Sequence, residues 1–152
     1  MRFTWLLAAA ALLAVTRPAA AQITVSPIRN LAFGPVIVGV PTRIGPSHPI
    51  RSGQFRLTAP LLLRVRFRFT LPNRLNGPLG ATMPISFSNS DAIAVGTASS
   101  SVPVTFDPKV AQTFQIVSST TINVFIGGTV TPAGNQRQGN YTNTITFTVT
   151  IL

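Results

Sequence analysis

The stretch Tyr141-Thr-Asn-Thr-Ile-Thr-Phe-Thr-Val-Thr-Ile-Leu152 decides how the chain is read. Tyr141, Ile145, Phe147, Val149 and Ile151 share one parity, and Thr142, Thr144, Thr146, Thr148 and Thr150 share the other. Successive side chains of a strand leave on opposite faces, so the pattern predicts one long strand with an apolar face and a hydroxyl face. Threonine is β-branched and tolerates water, which suits the second face. The alternation runs to Leu152 without a closing turn, so the neighbours of this strand are expected from earlier in the chain or from another molecule.

Immediately upstream, residues 121–131 put Ile122, Val124 and Ile126 on one parity, with Gly127-Gly128 as an expected bulge. The Pro- and Gly-bearing loop 132–139 is expected to join that strand to the final one as a hairpin. Residues 61–71 carry the second sharp alternation: Leu61, Leu63, Val65, Phe67, Phe69 and Leu71 against Leu62, Arg64, Arg66, Arg68 and Thr70. Shorter runs predict strands at 54–58, 82–88, 92–96, 102–106 and 112–117, and a first strand over 31–40 broken at Gly34-Pro35. Residues 41–52 and 72–78 are expected as loops, and 23–27 as an extended lead-in alternating at Ile23 and Val25. Strands about 8 to 12 residues apart with turn signals between them predict an all-β antiparallel sandwich of about seven to nine strands.

Residues 1–21 are expected to be a secretory signal peptide. Arg2 is followed by an apolar run from Trp5 to Val15 and by Ala19-Ala20-Ala21, with cleavage before Gln22. The run is shorter than the ~20 apolar residues a spanning helix needs. Residues 22–152 then form a single domain, long enough to bury about two-thirds of its unfolded surface. There is no cysteine, so no disulfide supports the fold. Without Arg2 and Arg17 the chain carries a charge of +8, which draws it to anionic surfaces. There is no glutamate and one lysine, so charged pairs that favour helices cannot form. A membrane barrel is disfavoured: beyond the leader there is no tryptophan and one tyrosine, too few for aromatic girdles.

The terminal run Val124-Phe-Ile-Gly-Gly-Thr-Val-Thr-Pro132, then Gly139-Asn-Tyr-Thr142 and the alternating end, resembles a family of secreted bacterial domains of unknown function, numbered four-four-zero-two. Leu31-Ala-Phe-Gly34, Gly53-Gln-Phe-Arg-Leu-Thr58, Thr70-Leu-Pro72, Met83-Pro-Ile-Ser-Phe87 and Thr105-Phe-Asp-Pro108 are similar to the same family. That family is similar to spore coat protein U domains and to chaperone–usher pilus subunits. The resemblance implies an immunoglobulin-like, pilin-like sandwich in the periplasm or at the surface of a bacterium. It also implies protein partners: like subunits, with a chaperone and usher. The missing cysteine departs from relatives that carry a disulfide, which leaves the assembly route open.

Chemistry is sparse. Asp91 and Asp107 are the only carboxylate side chains and both stand at turn positions. A glycosidase needs such a pair about 5 to 9 Å apart. His48 lies in a Pro/Ser loop, where solvation is expected in place of a triad. No His/Cys cluster offers metal ligands, no phosphate loop opens a helix, and no cofactor is expected. Tyr141 is expected to pack at a sandwich corner with its hydroxyl on the backbone.

Two functions are expected from different classes. The first is a non-catalytic structural subunit assembling by strand exchange, with Ile23 and Val25 on the donor segment and Tyr141, Ile145, Phe147, Val149 and Ile151 on the assembly strand. The second is a self-contained module binding anionic polysaccharide or lipopolysaccharide through Arg64, Arg66 and Arg68. Phe67 and Phe69 point away from those arginines, so nucleic acid is not expected as a partner.

Overall fold

The computed structural model describes residues 22–98, 101–117 and 120–152. The expected leader lies outside them. The chain builds an antiparallel β-sandwich from three sheets. Its strands are β1 (Thr24–Arg29), β2 (Thr42–Ile44), β3 (Gly53–Thr58), β4 (Arg64–Thr70), β5 (Arg74–Asn76), β6 (Thr82–Ser86), β7 (Ala92–Gly96), β8 (Val104–Phe106), β9 (Gln112–Gln115), β10 (Thr121–Ile126), β11 (Gly128–Val130) and β12 (Thr146–Ile151). The sheet orders are β1-β3-β10-β7-β8, β2-β11-β6-β5 and β12-β4-β9.

The main core lies between the first and third sheets. Leu57 of β3, Ala92 and Ala94 of β7 and Val124 and Ile126 of β10 face Val65, Phe67 and Phe69 of β4 and Phe147 of β12. Alternation decides which residues enter it: along β4 each arginine is exposed and each intervening residue buried. A second, smaller cluster of Met83, Ile85 and Val130 sits under β6 and β11, covered by Phe33, Val36, Leu75, Phe87 and Tyr141.

Gly127 joins the two regions. β10 ends in the first sheet and β11 begins in the second, so the chain changes sheets at one residue. A β-carbon there would fall on the Ile44 carbonyl oxygen and the Pro46 nitrogen, so only glycine lets these backbones approach. Its N–H donates to the Asp91 carbonyl at 2.8 Å.

Several local expectations are corrected. Residues 31–40 form no strand: Gly34 and Gly39 both have positive φ, and Ile37, Val38 and Val40 are exposed. β2 and β5 lie inside segments expected as loops, which with the split of 121–131 into β10 and β11 raises the count among the described residues to twelve strands. The expected hairpin is absent, because β11 pairs with β2 and β6 while β12 pairs with β4. The terminal strand is also shorter than residues 141–152, since regular pairing starts at Thr146.

Candidate functional site

β12 lies against β4 in an unbroken antiparallel register from Thr146↔Thr70 to Ile151↔Val65. After two extra residues on the β4 side the same ladder resumes as a bridge between Asn76 and Thr142, which exchange hydrogen bonds of 2.8 and 2.9 Å. The Leu152 N–H donates to the Arg64 carbonyl at 3.0 Å. Even-numbered residues therefore turn their backbone groups toward β4 and β5. Alternation aims the N–H and C=O groups of Ile145, Phe147, Val149 and Ile151 the other way. No strand among the described residues pairs with that side.

The sheet edges differ in protection. β1 carries Pro27 and a register irregularity between Pro27 and Arg29. β8 has three residues between Pro103 and Pro108, β2 has three after Pro41, and β9 has four. β12 has six residues with no proline, glycine or charge. Proteins guard exposed edges with charge, proline, bulges or short length, and β12 uses none of these.

The apolar parity of the terminal stretch serves both cores. Ile145, Phe147 and Val149 join the main one, and Phe147 meets the rings of Phe55, Phe67 and Phe69 at centroid distances of 5.2, 5.2 and 4.7 Å. Tyr141 belongs to the second cluster. Its hydroxyl donates to the Arg137 carbonyl at 2.7 Å and accepts from the Gln136 amide at 2.6 Å. Ile151 stays 46 % exposed.

Ile23 and Val25 are half-buried against the main core, and β1 runs antiparallel to β3 within its own molecule. The expected donor segment is thus already paired. Beside β1 and the start of the terminal stretch lies a groove of about 1080 Å³, walled by residues 30–36 and 136–145, with Leu75, Met83, Ile85 and Val130 among its apolar lining.

Arg64, Arg66 and Arg68 stand exposed on the outer face of the third sheet, and their side chains make no hydrogen bond or ion pair within the described residues. Arg56 and Arg74 are also exposed but lie on β3 and β5, so they do not extend the row.

The two carboxylates are brought to neighbouring strand ends, since Ala92 pairs with Phe106 and the acids are the adjoining Asp91 and Asp107. Each is engaged locally. Asp91 is 1 % exposed, bonded through one oxygen to Arg43 at 2.7 Å and through the other to the Ser88 N–H at 2.7 Å. Burial raises its pKa, but the Ser88 N–H, the Arg43 guanidinium and the Ser88 hydroxyl together outweigh burial and hold it below the usual carboxylate value. Asp107 accepts the Lys109 N–H at 2.9 Å and lies 3.7 Å from its ammonium group.

Among the described residues His48 forms no triad. Its Nδ1 accepts the N–H groups of Ile50 and Arg51 at 3.3 and 3.0 Å, while the Ser52 hydroxyl donates to the His48 carbonyl. Arg29 ties down this loop, donating to Ser52 Oγ, the Ser52 carbonyl and the Pro49 carbonyl. Neither the Arg29 anchor nor the Arg43–Asp91 pair is visible in sequence, because the partners lie far apart along the chain. Among the described residues no group of three or more His, Cys, Asp or Glu could hold a metal ion. No protein-family model, curated protein or solved structure matches the chain.

Proposed function

We propose that this chain is a non-catalytic structural subunit, exported to the periplasm or surface of a bacterium, which assembles by strand addition along the outer edge of β12. The observation that supports this reading is the unprotected edge itself: six residues, outward-facing backbone groups, and no device that discourages pairing. An added strand gains main-chain hydrogen bonds from the outward groups of Ile145, Phe147, Val149 and Ile151. It also covers the exposed rim at Ile151 and Leu152.

The donor is β1 of a like subunit, carrying Ile23 and Val25. Release of β1 from β3 costs its own ladder, and the main-chain hydrogen bonds made along β12 of the neighbour offset that loss. The resemblance to pilus subunits and coat protein U domains points the same way.

Ile151→Pro tests the edge. The Ile151 N–H faces outward, so proline removes no bond to β4 yet blocks an incoming strand. Multimers of the mature protein, followed by light scattering, are expected to dissociate in Ile151→Pro and to persist in Ile151→Val. A wild-type protein that stays monomeric at high concentration would overturn the reading.

A further inference from the structure

We infer that the outer face of the β12-β4-β9 sheet is a binding site for an anionic polysaccharide bearing carboxylate or sulfate groups. Arg64, Arg66 and Arg68 occupy alternate positions of β4, so successive guanidinium stems leave the sheet about 6.6 Å apart. Directly opposed residues share a face, and the register places Thr150 and Thr113 on either side of Arg66, Thr148 beside Arg68, and Gln115 beside Arg64. All of these side chains are exposed. The face is a row of cationic forks between two rows of hydroxyl and amide groups.

Among the described residues no ion pair neutralises that row. There are two acidic side chains in all, and these serve Arg43 and Lys109. Edge protection does not account for the arginines either, because β4 is the central strand of its sheet. A face that merely solvates the sheet works with both signs interspersed, whereas this one has a single sign.

The chemistry selects the ligand class. Guanidinium forks take carboxylate and sulfate oxygens two at a time, and the flanking Thr and Gln groups can exchange hydrogen bonds with sugar hydroxyls. Single-stranded nucleic acid needs aromatic rings to stack on, and Phe67 and Phe69 are buried on the opposite side. Strand addition at β12 leaves this face open, so an assembly would present it repeatedly to one polymer and gain avidity.

The test compares retention of the mature protein on immobilised polygalacturonate, dextran sulfate and poly(dT) in a salt gradient, with folding checked by circular dichroism. Arg64→Gln/Arg66→Gln/Arg68→Gln is expected to weaken binding to one or both glycans by about tenfold or more. The control Arg56→Gln/Arg74→Gln/Arg137→Gln removes the same charge from other exposed sites and is expected to change it less than about twofold. Equal loss in the two variants, or no retention of wild type, overturns the site. Tighter, arginine-dependent binding to poly(dT) overturns the ligand class. Arg66→Gln alone, at an exposed side chain with no partner among the described residues, serves if the triple variant does not fold; it is expected to lose about threefold, and no loss overturns the proposal.

Discussion

The ring of Tyr141 lies directly over Gly77, with Cε1, Cδ1 and Cζ all inside 3.0 Å of where a β-carbon on Gly77 would stand. The ring cannot easily move away, because its hydroxyl is held by Arg137 and Gln136. This contact fixes the residues before β12 against the end of β5. Gly77→Ala is expected to cost about 1–3 kcal/mol through overpacking, measured as a lower midpoint of denaturant unfolding with an unchanged slope. Tyr141→Phe keeps the ring, loses the hydroxyl bonds, and is expected to cost about 1 kcal/mol.

Phe147 is the residue through which β12 enters the main core, touching three phenylalanines on β3 and β4. Phe147→Ala is expected to destabilise by about 3–5 kcal/mol, the cost of a large cavity in a packed interior. The conservative Phe147→Leu is expected to lose less. Equal losses in the two would show that the cost comes from the lost ring contacts and not from the cavity.

Asp91 makes stability depend on pH. Its folded pKa is depressed, so its contribution is complete above the ordinary carboxylate value near ~4 and is lost as pH falls through the folded value. Asp91→Asn is expected to cost about 1–2 kcal/mol at neutral pH, since Arg43 is largely exposed and the surviving amide can still accept from Ser88. The variant should also flatten the acid limb of the stability curve. Denaturation midpoints measured from neutral pH down to strong acid check both effects.

Ser26 stands opposite Arg56 in the β1·β3 register. A Ser26→Cys/Arg56→Cys pair in this cysteine-free chain allows β1 to be fastened to its own β3. If β1 is the exchanged strand, the oxidised protein is monomeric and a reductant restores multimers. Multimers that survive oxidation would assign the added strand to another segment.

Leu79 adopts φ 53° and ψ 36° with 89 % of its surface exposed. A leucine in the left-handed region is strained and here packs against little. Leu79→Asn is expected to raise stability by up to about 1 kcal/mol, read from thermal unfolding. A loss of stability instead would show that the side chain has a partner.

The strands readable in advance were those whose periodicity is set by burial on one side. β4 and β12 alternate because one face of each meets a phenylalanine-rich core, and that requirement is written into adjacent residues. β2 and β5 are three residues long and exist because β11 and β6 lie beside them, so nothing local marks them. The supposed hairpin failed for a related reason. Gly127-Gly128 does bend the chain, but it bends it into a different sheet, a choice settled by the backbone around Ile44 and not by the turn. Of the candidate site, the arginine row and the hydroxyl row were both legible. That they lie side by side on one sheet was not, because the β4·β12 pairing joins distant parts of the sequence.

That pairing also governs how the protein comes to be folded. Residues 65–70 must wait for residues 146–151, and closing a loop of about 80 residues taxes chain entropy before any packing rewards it. Folding is therefore expected to be slow, with Phe67 and Phe69 uncovered while the chain searches. A polypeptide with that habit stays threadable for longer, and for the same interval it is open to capture by whatever binds sticky, unfinished sheets.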